Sequence, residues 1–252
     1  MPAITAQQRS DLVLLVNGVF GAAPTSRVLS NLVKLVEEGN SVDQVATMLT
    51  NNSNFESIYA PALLNSEFAT QFAGNLLGAA ATTETTARVE ALVTTYLNAG
   101  DTRTEAVWKV TKLLSETEDA AFATAKAQLN NKADVSLTFA LDTSYTELMT
   151  LEQLQSVIAN VTSDEATVTA AKTAIANGEA VSGVNTGETF TLTTGLDSLT
   201  GTTRNDSFTA LVDKNTTANT TFSALDTIDG GNGTDSLTLN FVGNGTDGDD
   251  DN

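Results

Sequence analysis

The sequence predicts a mainly α N-terminal domain of helical repeats, followed by the start of a calcium-binding β-roll or β-solenoid. Three observations predict it. Apolar residues recur at helical spacing from residue 6 to about residue 177. After that point the composition shifts to short alternating segments separated by Gly/Asp turns. Within this second part, residues 230–238 read GGNGTDSLT, which fits the nonapeptide pattern GGxGxDxUx of calcium-binding turns. The expected organisation is a helical domain over 1–178, a linker over 179–188 and a β domain over 189–252.

The helical elements follow in order. Leu12, Leu15, Val16 and Val19 lie three and four residues apart, and Phe20-Gly-Ala-Ala-Pro24 makes a turn. Thr25 or Ser26 caps a second helix whose apolar positions Val28, Leu29, Leu32, Val33, Leu35 and Val36 run up to Gly39. Ser41 caps a third helix through Val42, Val45, Ala46 and Leu49, which ends within 51–54. The plan is then restated: Leu77-Gly-Ala-Ala matches Phe20-Gly-Ala-Ala, and a helix through Val89, Leu92, Val93, Tyr96 and Leu97 ends at Gly100 as the earlier one ends at Gly39. A helix through Val107, Trp108 and Leu113 follows, and further helices are expected over 119–141, 151–161 and 164–177. Trp108, Tyr96, Phe68, Phe72 and Phe122 fall at helical spacing, which marks core packing rather than a ligand cage.

The β segment begins with Thr189-Phe-Thr-Leu-Thr-Thr, which alternates polar and apolar residues. Two copies of one pattern follow. Residues 197–208 align without a gap on residues 226–237, an offset of 29 (226 − 197). Gly201 matches Gly230, and Leu199 and Phe208 match Ile228 and Leu237. Leu237 is expected to point into the core between two stacked turns.

Composition narrows the function classes. The 252 residues carry 12 basic and 31 acidic side chains, a net charge of −19, which repels a phosphate backbone and excludes nucleic acid as a partner. With no cysteine there is neither a disulfide framework nor a thiolate metal site. With no histidine, Ser-His-Asp and Cys-His catalysis and the usual zinc sites are excluded, and the chain is expected not to be an enzyme. Residues 1–11 show neither the basic leader nor the cleavage site of a secretory signal peptide. The apolar run Leu12 to Val16 is too short to span a bilayer, and no basic amphipathic helix argues for membrane insertion.

Two sets of side chains carry chemistry. Asp197, Asp206, Asp226, Asp229, Gly231, Asn232, Gly233 and Asp235 are the candidate Ca²⁺ ligands. Glycines permit positive φ and turn carbonyls inward, while aspartates supply the charge a hard cation requires. The plainer reading is that these are ordinary Asp/Gly turns between strands. The second set is Arg88, Arg103, Lys109, Lys112, Lys126 and Lys132, six of the 12 positive charges. They form either a local patch for the phosphates and acidic sugars of a glycolipid or an ordinary surface whose cations pair with neighbouring acids.

FTLTTGLDSLTGTTRNDSF followed by LDTIDGGNGTDSLTLNF resembles the junction in large bacterial surface-layer proteins and related RTX proteins, where a helical domain gives way to calcium-binding β-rolls. FGAAPTSR, SVDQVATML and NNKADVSLTFA are similar to the helical repeats at the start of such proteins, including the Caulobacter-type surface-layer proteins. The resemblance implies the N-terminal region of a longer extracellular structural protein, exported by a type I system and anchored to lipopolysaccharide of the Gram-negative outer membrane. It further implies a β region ordered by Ca²⁺ and self-association into a lattice through regions beyond this chain. The alternative is a secreted RTX-type adhesin or biofilm matrix protein that binds another protein or a host glycan.

Overall fold

Leu12 to Val19 are eight consecutive buried residues in helix α1 (Ala6–Phe20), which explains the order of everything packed around it. A helix that is apolar all round belongs in the middle of a bundle. In the computed structural model, which describes residues 4–142, 145, 149–181, 186–202, 205–231 and 233–243, α1 packs most extensively against five other helices. These are α2 (Ser26–Glu37), α3 (Val42–Met48), α4 (Ser53–Ile58), α7 (Arg103–Glu116) and α8 (Ala123–Leu141). Helices α5 (Asn65–Leu77) and α6 (Thr83–Asn98) pack on each other, and α6 on α7. Helices α9 (Leu151–Ala159) and α10 (Glu165–Ala176) complete the helical unit, with α9 against α8. By its contacts the chain divides into two compact units, Met1–Ile175 and Ala176–Asn252.

Local signals place the helix ends. Thr5 and Ser41 close capping boxes with Gln8 and Gln44 at the starts of α1 and α3. The joint between α2 and α3 matches the joint between α6 and α7 bond for bond. Gly39 and Gly100 have φ of +102° and +99°, a region that favours glycine. The next N–H reaches back to a helix carbonyl in both, from Asn40 to Leu35 and from Asp101 to Tyr96, each 3.2 Å. Ser41–Gln44 and Thr102–Glu105 then form the same capping box. Asn51 to Asn54, expected to end a helix, lead into α4, because Asn52 caps it from the side chain.

Phe68, Phe72, Trp108 and Phe122 are buried in the helical core. Trp108 Nε1 donates to Asp43 Oδ1 at 2.6 Å, so the indole body is packed and its polar edge satisfied.

The expectation of a β-roll or β-solenoid is corrected. The structure is about 58% helical, and its C-terminal part holds only a small region of parallel sheet. Strands β1 (Thr186–Thr191), β3 (Asn205–Asp213) and β5 (Ser236–Val242) form one parallel sheet in that order. Strands β2 (Ser198–Thr200) and β4 (Thr227–Asp229) form a second. Phe208 pairs with Leu237 and Leu199 with Ile228, so the 29-residue offset of the two sequence copies is the strand register. The core is small: Leu192, Phe208 and Ala210 are its buried residues, with Phe190 stacked on Phe208 at 4.9 Å. Leu237, expected inside, is 45% exposed because β5 is at the edge of its sheet and among the described residues no further strand covers it. Strand β1 begins within the run 179–188 expected as a linker.

Candidate functional site

The turn aspartates accept hydrogen bonds from backbone amides. Asp206 is 1% exposed; its Oδ1 accepts from Glu188 N at 2.6 Å and its Oδ2 from Thr202 N at 2.6 Å. The Thr202 hydroxyl adds a further donor. Asp197 accepts from Thr193 N and from the Thr193 hydroxyl. The downstream copy reaches up to the first: Asp226 Oδ1 accepts from Asp197 N at 3.1 Å, and Asp235 Oδ1 from Asp206 N at 2.8 Å. Asp226 Oδ2 takes Ser223 N, and Asp229 Oδ1 takes Gly231 N. The aspartates therefore join one copy to the next through charge-assisted bonds.

Glycine is required where these turns touch. A Cβ on Gly231 would lie 2.1 Å from Thr202 O, one on Gly201 2.3 Å from Gly230 O, and one on Gly230 2.2 Å from Asp235 Oδ2. Gly231 and Gly233 have φ of +82° and +113°, as the turn pattern anticipates. Asn232 lies outside the described residues.

In this structure the carboxylates expected as calcium ligands are occupied by N–H donors. Calcium takes six to eight oxygens, several of them carboxylate. Here each of the five carboxylates already faces N–H donors, and among the described residues no three acidic groups converge on one point. A signal for this role was present in the sequence: Thr193 and Thr202 each precede an aspartate by four residues, and each donates both its amide and its hydroxyl to that aspartate.

The six cations are distributed over α6, α7 and α8. Arg88 pairs with Asp119 and Glu84 and lies over the Phe122 ring at 4.7 Å. Its hydrogen bond to Asp119 raises the guanidinium pKa further and holds the Asp119 carboxyl below its usual range. Lys126 pairs with Glu118 at 2.8 Å and lowers the pKa of that carboxyl. Arg88 and Lys126 thus arrive from different helices at consecutive acids in the connection between α7 and α8. Arg88 also borders a cavity of about 400 Å³ whose other walls include Leu92, Val110, Leu113 and Phe122.

Lys109 pairs with Asp101 at 2.6 Å, which raises its pKa. Burial works against the charge of Lys112, but Asp11 at 3.0 Å and Glu116 at 3.5 Å outweigh it and raise its pKa. Arg103 is structural: it donates to the carbonyls of Ala60 and Leu63 and covers the Phe68 ring at 4.9 Å. Lys132 differs from the other five. It is half-buried and, among the described residues, has neither an ion pair nor a side-chain hydrogen bond; burial lowers its pKa. It lines a cavity of about 240 Å³ together with Asn17, Tyr59, Asn75 and Gln155. Sequence reasoning missed these four, although Asn17 is legible as the one amide inside the buried run Leu12 to Val19.

Among the described residues no helix is long and apolar enough to cross a membrane. No family model matches the chain, and neither a curated protein nor a solved structure shows significant similarity to it.

Proposed function

We propose that the chain is a non-enzymatic structural protein of a Gram-negative cell surface, of the surface-layer kind, whose helical unit attaches to lipopolysaccharide. The protein works outside the cell, and its lattice contacts lie beyond the attachment unit. The observation that carries this reading is the convergence of Arg88 and Lys126 on Glu118 and Asp119. Both are solvent-facing pairs: the Arg88 side chain is 43% exposed and that of Glu118 is 93% exposed. Exposed ion pairs contribute little to stability, so replacing a carboxylate partner by a phosphate costs little. Arg88 is fixed by the Phe122 ring beneath it, which orients its fork for bidentate phosphate binding. The protein is strongly acidic, and at this site Glu84, Glu118 and Asp119 face the two cations, so an anionic group binds here by displacing a carboxylate. The turn aspartates enter this reading as backbone acceptors of the β unit, with no step routed through calcium.

Co-sedimentation of the full chain with phosphatidylcholine vesicles, with and without lipopolysaccharide, tests it. Binding is expected only with lipopolysaccharide and is expected to weaken as salt rises. Replacing both Arg88 and Lys126 with alanine is expected to weaken it roughly tenfold, since each cation near an anionic surface adds to affinity. Equal binding to both vesicles, or affinity unchanged in the double variant, overturns the proposal.

A further inference from the structure

We infer that the two outer edges of the three-stranded sheet fit each other, so that β5 of one copy of the chain takes β1 of a second copy as its next parallel strand. The contact repeats head to tail, with the second copy's Glu188 beside Asp235 and its Phe190 beside Leu237. It lies in the β unit and uses neither Arg88 nor Lys126, so it stands or falls apart from attachment to lipopolysaccharide.

The argument starts from one row of acids. Thr189 and Ser236 both pair with Ser207, so the residues before them, Glu188, Asp206 and Asp235, stand side by side across β1, β3 and the start of β5. Along the row each carboxylate takes the amide of the strand before it. Asp206 Oδ1 accepts from Glu188 N at 2.6 Å, and Asp235 Oδ1 accepts from Asp206 N at 2.8 Å. The row is unfinished at both ends. Among the described residues the Asp235 N–H has no acceptor, and the exposed Glu188 carboxylate has no donor. One edge therefore offers what the other lacks.

The backbone groups match in the same way. The amides of a strand point alternately to its two sides, and an edge leaves every second one unpaired as a template for another strand. Thr234 N–H is aimed at Asn205 Oδ1, toward β3, so those of Asp235 and Leu237 face the open side of β5. Glu188 and Leu192 aim theirs at Asp206 and Thr209, so those of Thr189 and Thr191 face the open side of β1. If the register of β3 on β5 continues, Leu237 N–H meets the second copy's Thr189 carbonyl. That copy's Thr191 N–H then meets Leu237 O, and its Glu188 carboxylate meets Asp235 N–H.

The apolar side chains follow. Phe208 is 1% exposed because Phe190 stacks on it at 4.9 Å on one side and Leu237 pairs beside it on the other. Leu237 has such a neighbour on one side only and is 45% exposed. The second copy's Phe190 supplies the missing cover. Each copy carries a net charge of −19, which opposes association, so the contact strengthens as salt rises, the reverse of attachment to an anionic glycolipid.

Sedimentation velocity of the full chain at up to about 1 mM tests this, with two proline variants. Leu237→Pro blocks the open side of β5 and Thr191→Pro that of β1. Neither removes an amide that the sheet itself uses, and proline is tolerated where an edge N–H faces outward. The parent is expected to form oligomers that grow with concentration and with salt. Each variant alone is expected to stay monomeric, while an equal mixture forms a dimer and stops there, because each supplies the edge that the other lacks. In the parent, independent of any variant, hydrogen exchange at the Asp235 and Leu237 amides is expected to slow about tenfold from dilute to concentrated solution. A parent that is monomeric at every concentration, or unchanged exchange at both amides, overturns the inference. So does self-association of either variant alone, which for Thr191→Pro would mean that β5 pairs with β5. A mixture that stays monomeric while both variants keep the parent's β3 amide signals overturns it as well.

Discussion

Gly18 and Thr111 show how closely two central helices approach. A Cβ on Gly18 would lie 2.4 Å from Thr111 Oγ1 and 2.8 Å from its Cγ2, so α1 and α7 meet at a point where no side chain fits. Gly18→Ala gains helix propensity of up to about 1 kcal/mol but forces overpacking that costs about 1–3 kcal/mol. The expected net result is a loss of stability, read as a melting temperature lowered by several degrees in calorimetry. An unchanged or raised value would mean that Thr111 moves aside freely. At this scale the sequence is legible in part. The apolar run Leu12 to Val16 marks a buried helix, and the aromatic residues at helical spacing mark core. The roles of Gly18 and Asn17 are not legible, because each depends on a partner more than 90 residues away, Thr111 and Ser136. The same holds for the cations: spacing names all six, but only the fold distinguishes Arg103, fixed on carbonyls, from Lys132, which faces a cavity.

At the scale of elements, what is local in sequence is read best. The glycine joints at Gly39 and Gly100 and the caps at Thr25 and Ser41 are short-range chemistry, and each falls where the pattern places it. The gapless alignment of 197–208 with 226–237 gives the register of β2 on β4 and of β3 on β5, where parallel pairing sets like residues side by side, but not that of β1 on β3. The roll itself does not follow from that alignment. A GGxGxDxUx turn and an amide-accepting Asp/Gly turn share the same residue types, and only the donors around each carboxylate separate them. Asp206→Asn is the direct probe. Asparagine places an NH₂ against either the Glu188 or the Thr202 amide, so a buried donor loses its acceptor at a cost of about 1–3 kcal/mol. The β unit is expected to open at lower urea in the variant, read by the amide signals of β3, while a calcium chelator leaves the parent unchanged. If chelation alone opens the parent β unit, the carboxylates serve calcium and the amide account is wrong.

The whole molecule joins two units of unequal strength. The helical unit has a large continuous core that includes residues from Leu12 to Ala140, whereas among the described residues the core between the β strands has Leu192, Phe208 and Ala210 as its buried members, beside the bonds between aspartates and amides. Local opening is therefore cheapest in the β unit, and the helical unit is the better platform for a lasting attachment. The units divide after Ile175, and in the sequence helical spacing gives way to Gly/Asp turns after about residue 177. The proposed attachment surface is legible only in part: the sequence names Arg88 and Lys126 among six cations, but they are 38 residues apart (126 − 88) and their meeting through the acids at 118 and 119 is a matter of the fold. Hydrogen exchange on the full chain, with and without vesicles containing lipopolysaccharide, tests the central claim most directly. The claim predicts slowed exchange in α6, in the connection from Thr117 to Phe122 and in the first turns of α8, with β1 to β5 unaffected. Slowing confined to the β strands, or none in the helical unit at saturating lipopolysaccharide, would contradict it.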